Sequence, residues 1–364
     1  MGKLLSVTRY IVGILFIFSG LIKANDPMGL SYKMQEFFEV WGIHGLNDYS
    51  LAFSVLMIAF EIIAGVAVII GWRFRLFSWL LLLLIIFFTF LTAYAMFSGK
   101  IRECGCFGDC IKLQARDSFI KDLLLLAMIL FLFVNRKKVG SMVSERAGWI
   151  VILFTAVLSF GVQWYVLEHL PLMDCLPYRK GNNILEKRKI PADAIPDSTV
   201  IRFVYRKDGK EVDFDADHFP QDFNDSTYQF LRRYDNLVRK GNAEPAIKDF
   251  VLINENNVGS TEAILSVPGK RFIVFTRSWN GGWAKDIQRL ADAAGRRNIP
   301  LMVASASADR VREDLKVPVL KSDLVAIKTA ARVDPTIYLL DGGTIVSKWA
   351  LQDLEQALAA IERK

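Results

Sequence analysis

The stretch "LFSWLLLLLIIFFTFLTAYAMF", residues 76–97, carries no charge over 22 positions. A helix needs about 20 apolar residues to cross the hydrocarbon core of a bilayer, so this segment predicts a membrane-spanning helix. Four similar runs surround it, at roughly 4–22, 50–70, 118–134 and 148–167. Past residue 170 the long apolar runs stop, and charged and apolar residues alternate as in a water-soluble domain. The expected fold is an α-helical membrane bundle followed by an α/β domain.

The net charge of +7 is spread thinly, with 15 Lys/Arg against 11 Asp/Glu through residue 170 and 30 against 27 after it. No basic stripe marks a nucleic-acid surface, and no nucleic-acid partner is expected. In the first half the basic residues flank apolar runs, where they set orientation. A cytoplasmic N-terminus puts Lys3, Arg73, Arg75, Arg136, Lys137, Lys138 and Arg146 inside, and Lys23, Lys33, Lys100, Arg102, Lys112 and Arg116 outside. The run "NRKK" at 135–138 is the strongest single vote. "FSGLIKAND" offers no small-x-small cleavage site, so the first run is expected to stay as a helix. Five spans then carry the C-terminal half out of the cytosol. The expected setting is a bacterial inner membrane, multi-pass, with a periplasmic C-terminal domain.

That orientation exports "RECGCFGDC", residues 102–110, which holds three of the four cysteines. Cys175 follows the fifth span on the same face, and in an oxidising compartment disulfides form and persist. Cys104, Cys106, Cys110 and Cys175 permit three pairings, and sequence does not choose among them. Three readings stay open: structural disulfides, an exchangeable redox pair, or a thiolate metal site with His169 nearby. Glu61 is the other anomaly, a carboxylate in mid-span. Its insertion costs about 2.5–3.5 kcal/mol on translocon scales, so it should be protonated, hydrogen-bonded or turned to another helix. Ser19 and Thr89 are candidate partners, and a proton-handling or ligand-facing role is the alternative.

"GILFIFSGLIK" (Gly13, Phe16, Ser19, Gly20, Lys23) is similar to the first helix of the DoxX/MauE family. "FEIIAGVAVIIGWRFR" (Glu61, Gly65, Gly71, Arg73) resembles its second helix, and "CGCFGD" resembles the loop of the MauE-like branch. The resemblance covers about residues 5–138. It implies a four-helix bundle related in shape to vitamin K epoxide reductase, here with a fifth helix added. It also implies a link to disulfide formation during maturation of a periplasmic enzyme, with Cys104 and Cys106 as loop thiols and Glu61 as the helix-two carboxylate. A quinone enters through this resemblance only; no cofactor motif is evident. No C-x-x-C lies within a span, so a quinone-coupled oxidase of the epoxide-reductase type is not expected.

Residues 1–140 are thus read as the bundle, 141–170 as the fifth span, 171–245 as a connector and 246–364 as the α/β domain. In the connector "IRFVYRKDGKEVDF" predicts two strands about Asp208-Gly209, and "DSTYQFLRRYDNLVRKG" predicts a short helix ending at Gly241. From 246 the order is strand, helix, strand, helix, hairpin, helix. This resembles thioredoxin and its periplasmic TlpA-like relatives. "DPTIYLLDGGTIVSKW" matches the segment with a cis-proline, here Pro335 flanked by Asp334 and Thr336. "FTRSWNGGWAKDI" matches the active-site turn between Trp279 and Trp283. Both cysteine positions of that turn are replaced, by Asn280 and Trp283. Disulfide exchange needs a thiolate, so the domain is expected to be redox-inactive and to hold a partner chain by backbone pairing.

The function expected is an accessory to periplasmic thiol–disulfide redox or protein maturation, with no independent enzyme activity and a periplasmic protein partner. Two alternatives remain: a scaffold with structural disulfides, or a small-molecule or proton-handling membrane protein built on Glu61 and Lys23.

Overall fold

The structure is a computed structural model and describes residues 2–101, 105, 107–111, 113–196, 198–224, 226–239, 241 and 243–362. Arg102, Lys112 and the candidate redox thiols Cys104 and Cys106 lie outside the described residues.

The N-terminal part comprises α1 (Gly2–Ala24), α2 (Pro27–Val40), α3 (Ser50–Ile70), α4 (Phe74–Ser98), α5 (Ala115–Val134) and α6 (Glu145–Glu168). Among the described residues, four helical runs are long and apolar enough to cross a membrane: Gly2–Ala24, His44–Ile70, Phe74–Ser98 and Glu145–Glu168. The sequence reading expected five. The difference is α5, whose first two turns carry Arg116, Asp117, Lys121 and Asp122. It still runs the length of the bundle antiparallel to α4, with Phe119 against Phe97 at one end and Phe133 against Trp79 at the other.

The helices alternate in direction. One end of the bundle gathers Arg73, which pairs with Glu145, and the 3₁₀ turn Arg136–Lys138. The other end gathers the close of α1, the loop after α4 and the chain leaving α6. There the Asn25 side chain exchanges two 2.8 Å hydrogen bonds with the backbone of Met173. Helix α2 was not foreseen. It covers this second end, and its start is locally encoded: Asp26 caps it, accepting from Gly29 N–H at 3.0 Å, and Pro27 occupies its first turn.

Helices α1 and α3 cross closely because glycines meet there. A Cβ on Gly65 would lie 2.8 Å from the Gly13 carbonyl, and a Cβ on Gly13 would lie 2.8 Å from the Gly65 carbonyl. Small residues let helix backbones approach in a membrane.

After α6 come a short α7 (Ile184–Lys187) and the strands β1 (Ser198–Lys207), β2 (Lys210–Asp215) and β3 (Gln229–Arg239), in sheet order β2-β1-β3. Asp208 and Gly209 turn the β1–β2 hairpin with positive φ, as their sequence predicts. The expected helix over 225–241 is instead β3, antiparallel to β1 in a register that sets Phe230 opposite Tyr205. The competing signal was non-local. Tyr205 packs on Phe214 and Phe230 at 5.4 and 5.5 Å, and such cross-strand pairs override weak local propensity.

The second sheet follows α8 (Thr261–Leu265). Its elements are β4 (Lys270–Thr276), α9 (Ala284–Gly295), β5 (Leu301–Ser305), α10 (Ala308–Asp314), β6 (Val319–Lys321), α11 (Leu324–Ala330), β7 (Thr336–Asp341), β8 (Thr344–Ala350) and α12 (Leu354–Glu362). The order is β6-β5-β4-β7-β8; β4, β5 and β6 are parallel, β7 runs against β4, and β8 runs against β7, back in the direction of β4. Successive β4 residues alternate between two cores. Phe272 and Val274 face α9 and α12, whereas Ile273 and Phe275 face α11 and Tyr178, Ile184 and Phe250. The C-terminal part is therefore a mixed α/β unit with two sheets.

Candidate functional site beneath the cysteine loop

The mid-span carboxylate finds its partners on α1. Because α1 and α3 cross at the glycines, Glu61 sits against Lys23 in the last turn of α1 and Ser19 one turn earlier. The Lys23 ammonium donates to Glu61 Oε1, and the Ser19 hydroxyl donates to Oε2 at 3.2 Å. Lys23 is 3% exposed and Glu61 fully buried. Sequence reading set Lys23 at the outer end of the first helix and paired it in role with Glu61 as an intramembrane polar residue. It is a buried member of α1, with its ammonium 5.2 Å from the centre of the Phe88 ring. Ser19 is a partner as expected; Thr89 turns to its own helix and donates to the Ile85 carbonyl.

A second buried carboxylate, Asp122, accepts from the Thr92 hydroxyl at 3.0 Å and pairs with Lys121 at 2.7 Å. Sequence reading passed over it. The signal was present: an ionisable residue at one end of an apolar run.

Both pairs border one cavity of about 840 Å³ in the upper half of the bundle. Its walls come from α1, α3, α4 and α5, with α2 across the top through Phe37 and Phe38 and its cap residue Trp41. Gly105 and Phe107 of the cysteine loop also line it. Gly105, the residue between Cys104 and Cys106, has a φ of 67°, which favours glycine.

The same loop is anchored from outside. Cys110 is joined to Cys175, which ties the chain after α4 to the chain after α6. Of the three pairings, this structure holds that bond. It also removes Cys110 from any thiolate metal set. Beside it, Arg332 of the α/β unit donates to Asp109 and reaches Asp26 at 2.8 Å. Burial pushes the Asp26 carboxyl above its usual range, Arg332 pulls it back, and Asp109 pushes it up further. Nearby, Arg277 donates to the Tyr32 hydroxyl on α2, and Lys328 donates to Gln35 at 3.1 Å. A further ion pair links Lys348 to Asp174 at 2.5 Å. Sequence reading did not find this set, because it forms between segments far apart in the chain, from Asp174 with Lys348 to Asp26 with Arg332.

The turn from Arg277 to Trp283 lies on the edge that faces α2, where Arg277 reaches Tyr32. The Asp334 carboxylate closes it, accepting from the N–H groups of Arg277 and Ser278 at 3.0 and 3.2 Å. The Asp334–Pro335 peptide is cis. Pro335 and Thr336 are buried, and the Thr336 hydroxyl donates to the Val333 carbonyl. Asn280 is exposed and caps the turn by accepting from Gly282 N–H. Trp279 and Trp283 are half-buried and meet edge to face, and Trp279 Nε1 donates to Asp314. The structure thus brings Lys23 with Glu61, Cys110 with Cys175, and Asp334 with the Trp279 turn.

Residues 1–135 match the family described as Methylamine utilisation protein MauE. That stretch holds the buried pair, the cavity and the cysteine loop. Residues 192–240 match a family described as Domain of unknown function (DUF8463), which corresponds to the three-stranded sheet. Neither a curated protein nor a solved structure matches the chain.

Proposed function

We propose that this membrane protein is an accessory to periplasmic thiol–disulfide exchange, presenting Cys104 and Cys106 above a MauE-like bundle. The observation that carries the reading is the Cys110–Cys175 bond. It consumes two of the four cysteines, supports an oxidising location for this end of the bundle, and leaves Cys104 and Cys106, with one residue between them in sequence, as the candidate exchanging pair. The opposite end carries Arg73, Arg136, Lys137 and Lys138, which favours a cytoplasmic position for it.

Exchange at such a pair needs no cofactor. A thiolate of the pair attacks a partner's disulfide sulfur, and the partner's other sulfur leaves as a thiolate and takes up a proton. The second thiolate of the pair then displaces the partner from the mixed disulfide. The pair ends as a disulfide and the partner as a dithiol, so two electrons and two protons have passed. The same steps in reverse oxidise the partner.

The α/β unit is read as thioredoxin-like and redox-inactive. Its parallel strands, antiparallel hairpin and closing helix support that fold, and Asn280 and Trp283 supply no thiolate. Its contacts through Arg277 to Tyr32 and through Arg332 to Asp26 and Asp109 support a role in holding the cysteine loop and a partner that reaches it. The competing reading, a scaffold with a structural disulfide, is favoured by the same Arg332 clamp.

Mixed-disulfide capture separates the two. In intact cells, Cys104→Ser or Cys106→Ser should trap a periplasmic protein through the remaining thiol, and maleimide labelling of the parent should find both redox states of the pair. Repeated failure of both variants to trap anything, with all four cysteines permanently oxidised, would leave the scaffold.

A further inference from the structure

We infer that β3 pairs with β3 of a second copy of this chain, antiparallel and about a two-fold axis at Tyr234, joining two three-stranded sheets into one. The inference goes beyond the thiol reading and does not depend on it.

The sheet edges point to β3. An open edge presents unpaired N–H and C=O groups and accepts a further strand unless it is short, charged or covered. In the five-stranded sheet both edges are covered. Lys321 of β6 exchanges two 2.8 Å hydrogen bonds with the backbone of Ile253, and Ile345 of β8 bonds to the backbone of Gly181 and Asn182. In the three-stranded sheet, edge β2 is only six residues long, and Lys210, Glu211, Asp213 and Asp215 charge it. Edge β3 runs for 11 residues. Among the described residues its backbone bonds to β1 and to no other element. Its register against β1 shifts only near its two ends, so 232–237 is a regular run.

The side chains of that run leave its edge open. Arg232 donates to Glu211 at 2.9 Å, and the Tyr234 hydroxyl donates to Asp213 at 2.7 Å. Both acceptors are on β2, so these side chains lean inward across β1. Near the ends of β3, Phe230 and Val238 are 54% and 65% exposed. Pairing about Tyr234 brings Phe230 of one copy beside Val238 of the other and removes apolar surface from water.

Charge chooses the register. Opposed residues share a face of the sheet, so a two-fold antiparallel pairing centres on one residue, and moving the centre changes every pair. Centring on Tyr234 sets Arg233 opposite Asp235 of the second copy, and Asp235 opposite its Arg233. Within each strand these two already meet, with Arg233 Nε 3.0 Å from Asp235 Oδ1, and both side chains are half exposed. The pairing therefore closes a ring of alternating charges. Neighbouring centres do worse. Centres at 232, 233 and 235 set Arg232, Arg233 or Asp235 against its own copy, and a centre at 236 sets Arg233 against Arg239. Like charges directly opposite destabilise a strand pair, and opposite charges stabilise it. A strand that is its own complement in one register fits the isologous contact of a two-fold dimer.

The test uses the full-length protein in membranes of intact cells, with Cys104→Ser and Cys106→Ser, so that an introduced cysteine is the only one outside the Cys110–Cys175 bond. Tyr234→Cys stands on the axis, where opposed Cα atoms lie about 4.5–5.5 Å apart, within disulfide reach. Mild oxidation should convert it to a covalent homodimer. Arg232→Cys and Asn236→Cys stand off the axis, about 14 Å from their copies, and should cross-link at least roughly fivefold less. Adding Arg233→Asp or Asp235→Arg to the Tyr234→Cys protein should cut the dimer fraction roughly fivefold or more, and both together should restore it. An exposed ion pair contributes little to the fold, so thermal midpoints should stay near the parent's. Should a charge variant not fold, the comparison of positions 232, 234 and 236 decides the register. Absence of a Tyr234→Cys homodimer, or a cross-link to a different polypeptide in its place, would overturn the inference. Equal cross-linking at 232 or 236, or a folded double variant that does not restore the dimer, would overturn the register. Both loop thiols are absent throughout, so this result and that of mixed-disulfide capture fail separately.

Discussion

Arg332 Nε lies 2.8 Å from the Asp26 carboxylate, joining the last third of the chain to the cap of α2. The same guanidinium donates to Asp109, next to the Cys110–Cys175 bond. One buried cation therefore holds two carboxylates from two segments of the membrane part. Deleting one partner of a buried pair costs about 3–5 kcal/mol, because the other charge is left without compensation. Arg332→Ala should loosen the α/β unit from the bundle by a cost of that order. Arg332→Lys keeps the charge but loses the fork that serves two acceptors, and should fall between. Limited proteolysis of the purified protein, scored by release of the C-terminal part, reads both.

Asp26 gives this contact a pH dependence. Burial raises its pKa above the usual 3.8, against the pull of Arg332. The folded state therefore holds the proton more tightly than the unfolded state. Stability contributed by Asp26 is fully present below 3.8, falls as pH rises from there to the raised folded value, and is flat above it. Asp26→Asn should remove that slope. Denaturant midpoints of both proteins across the acidic range check the sign; a stability difference that grows with pH would contradict it.

Lys23 and Glu61 should show strong coupling. Lys23→Met or Glu61→Gln alone leaves a buried partner without its counter-charge, so each should destabilise the bundle by several kcal/mol, about 3 or more. The double variant should recover much of the loss, leaving a coupling energy of at least about 1 kcal/mol in a double-mutant cycle. Steric trapping or unfolding in mild detergent measures it. Additive single effects would mean the pair is not an energetic unit.

Gly65→Leu should separate α1 from α3. A Cβ there already meets the Gly13 carbonyl at 2.8 Å, which is backbone and cannot swing aside. Overpacking of this kind costs about 1–3 kcal/mol. The same shift would draw Ser19 and Lys23 away from Glu61, so a spectroscopic or cross-linking distance from α1 to α3 should lengthen.

Cys110→Ser should destabilise the same end of the bundle. The bond spans 65 residues of sequence, and removing a native disulfide costs about 2–5 kcal/mol. Thermal unfolding with and without reductant should shift for the parent and stay fixed for the variant.

The membrane helices were legible because a bilayer tests local composition. A run such as 76–97 meets its solvent without help from the rest of the chain. The strands around Asp208-Gly209 and Asp341-Gly342 were legible for a like reason, since a turn needs only its own residues. Helix α2 was equally local, in Asp26 and Pro27, although the reading passed over that signal. Glu61 could be flagged from sequence as costly; that Lys23 answers it depends on Gly13 and Gly65 bringing two helices together. Strand β3, the Cys110–Cys175 bond and the Arg332 clamp were decided by tertiary structure alone. Each joins segments far apart in sequence, and the contact that fixes the pairing exists only once both are folded into place.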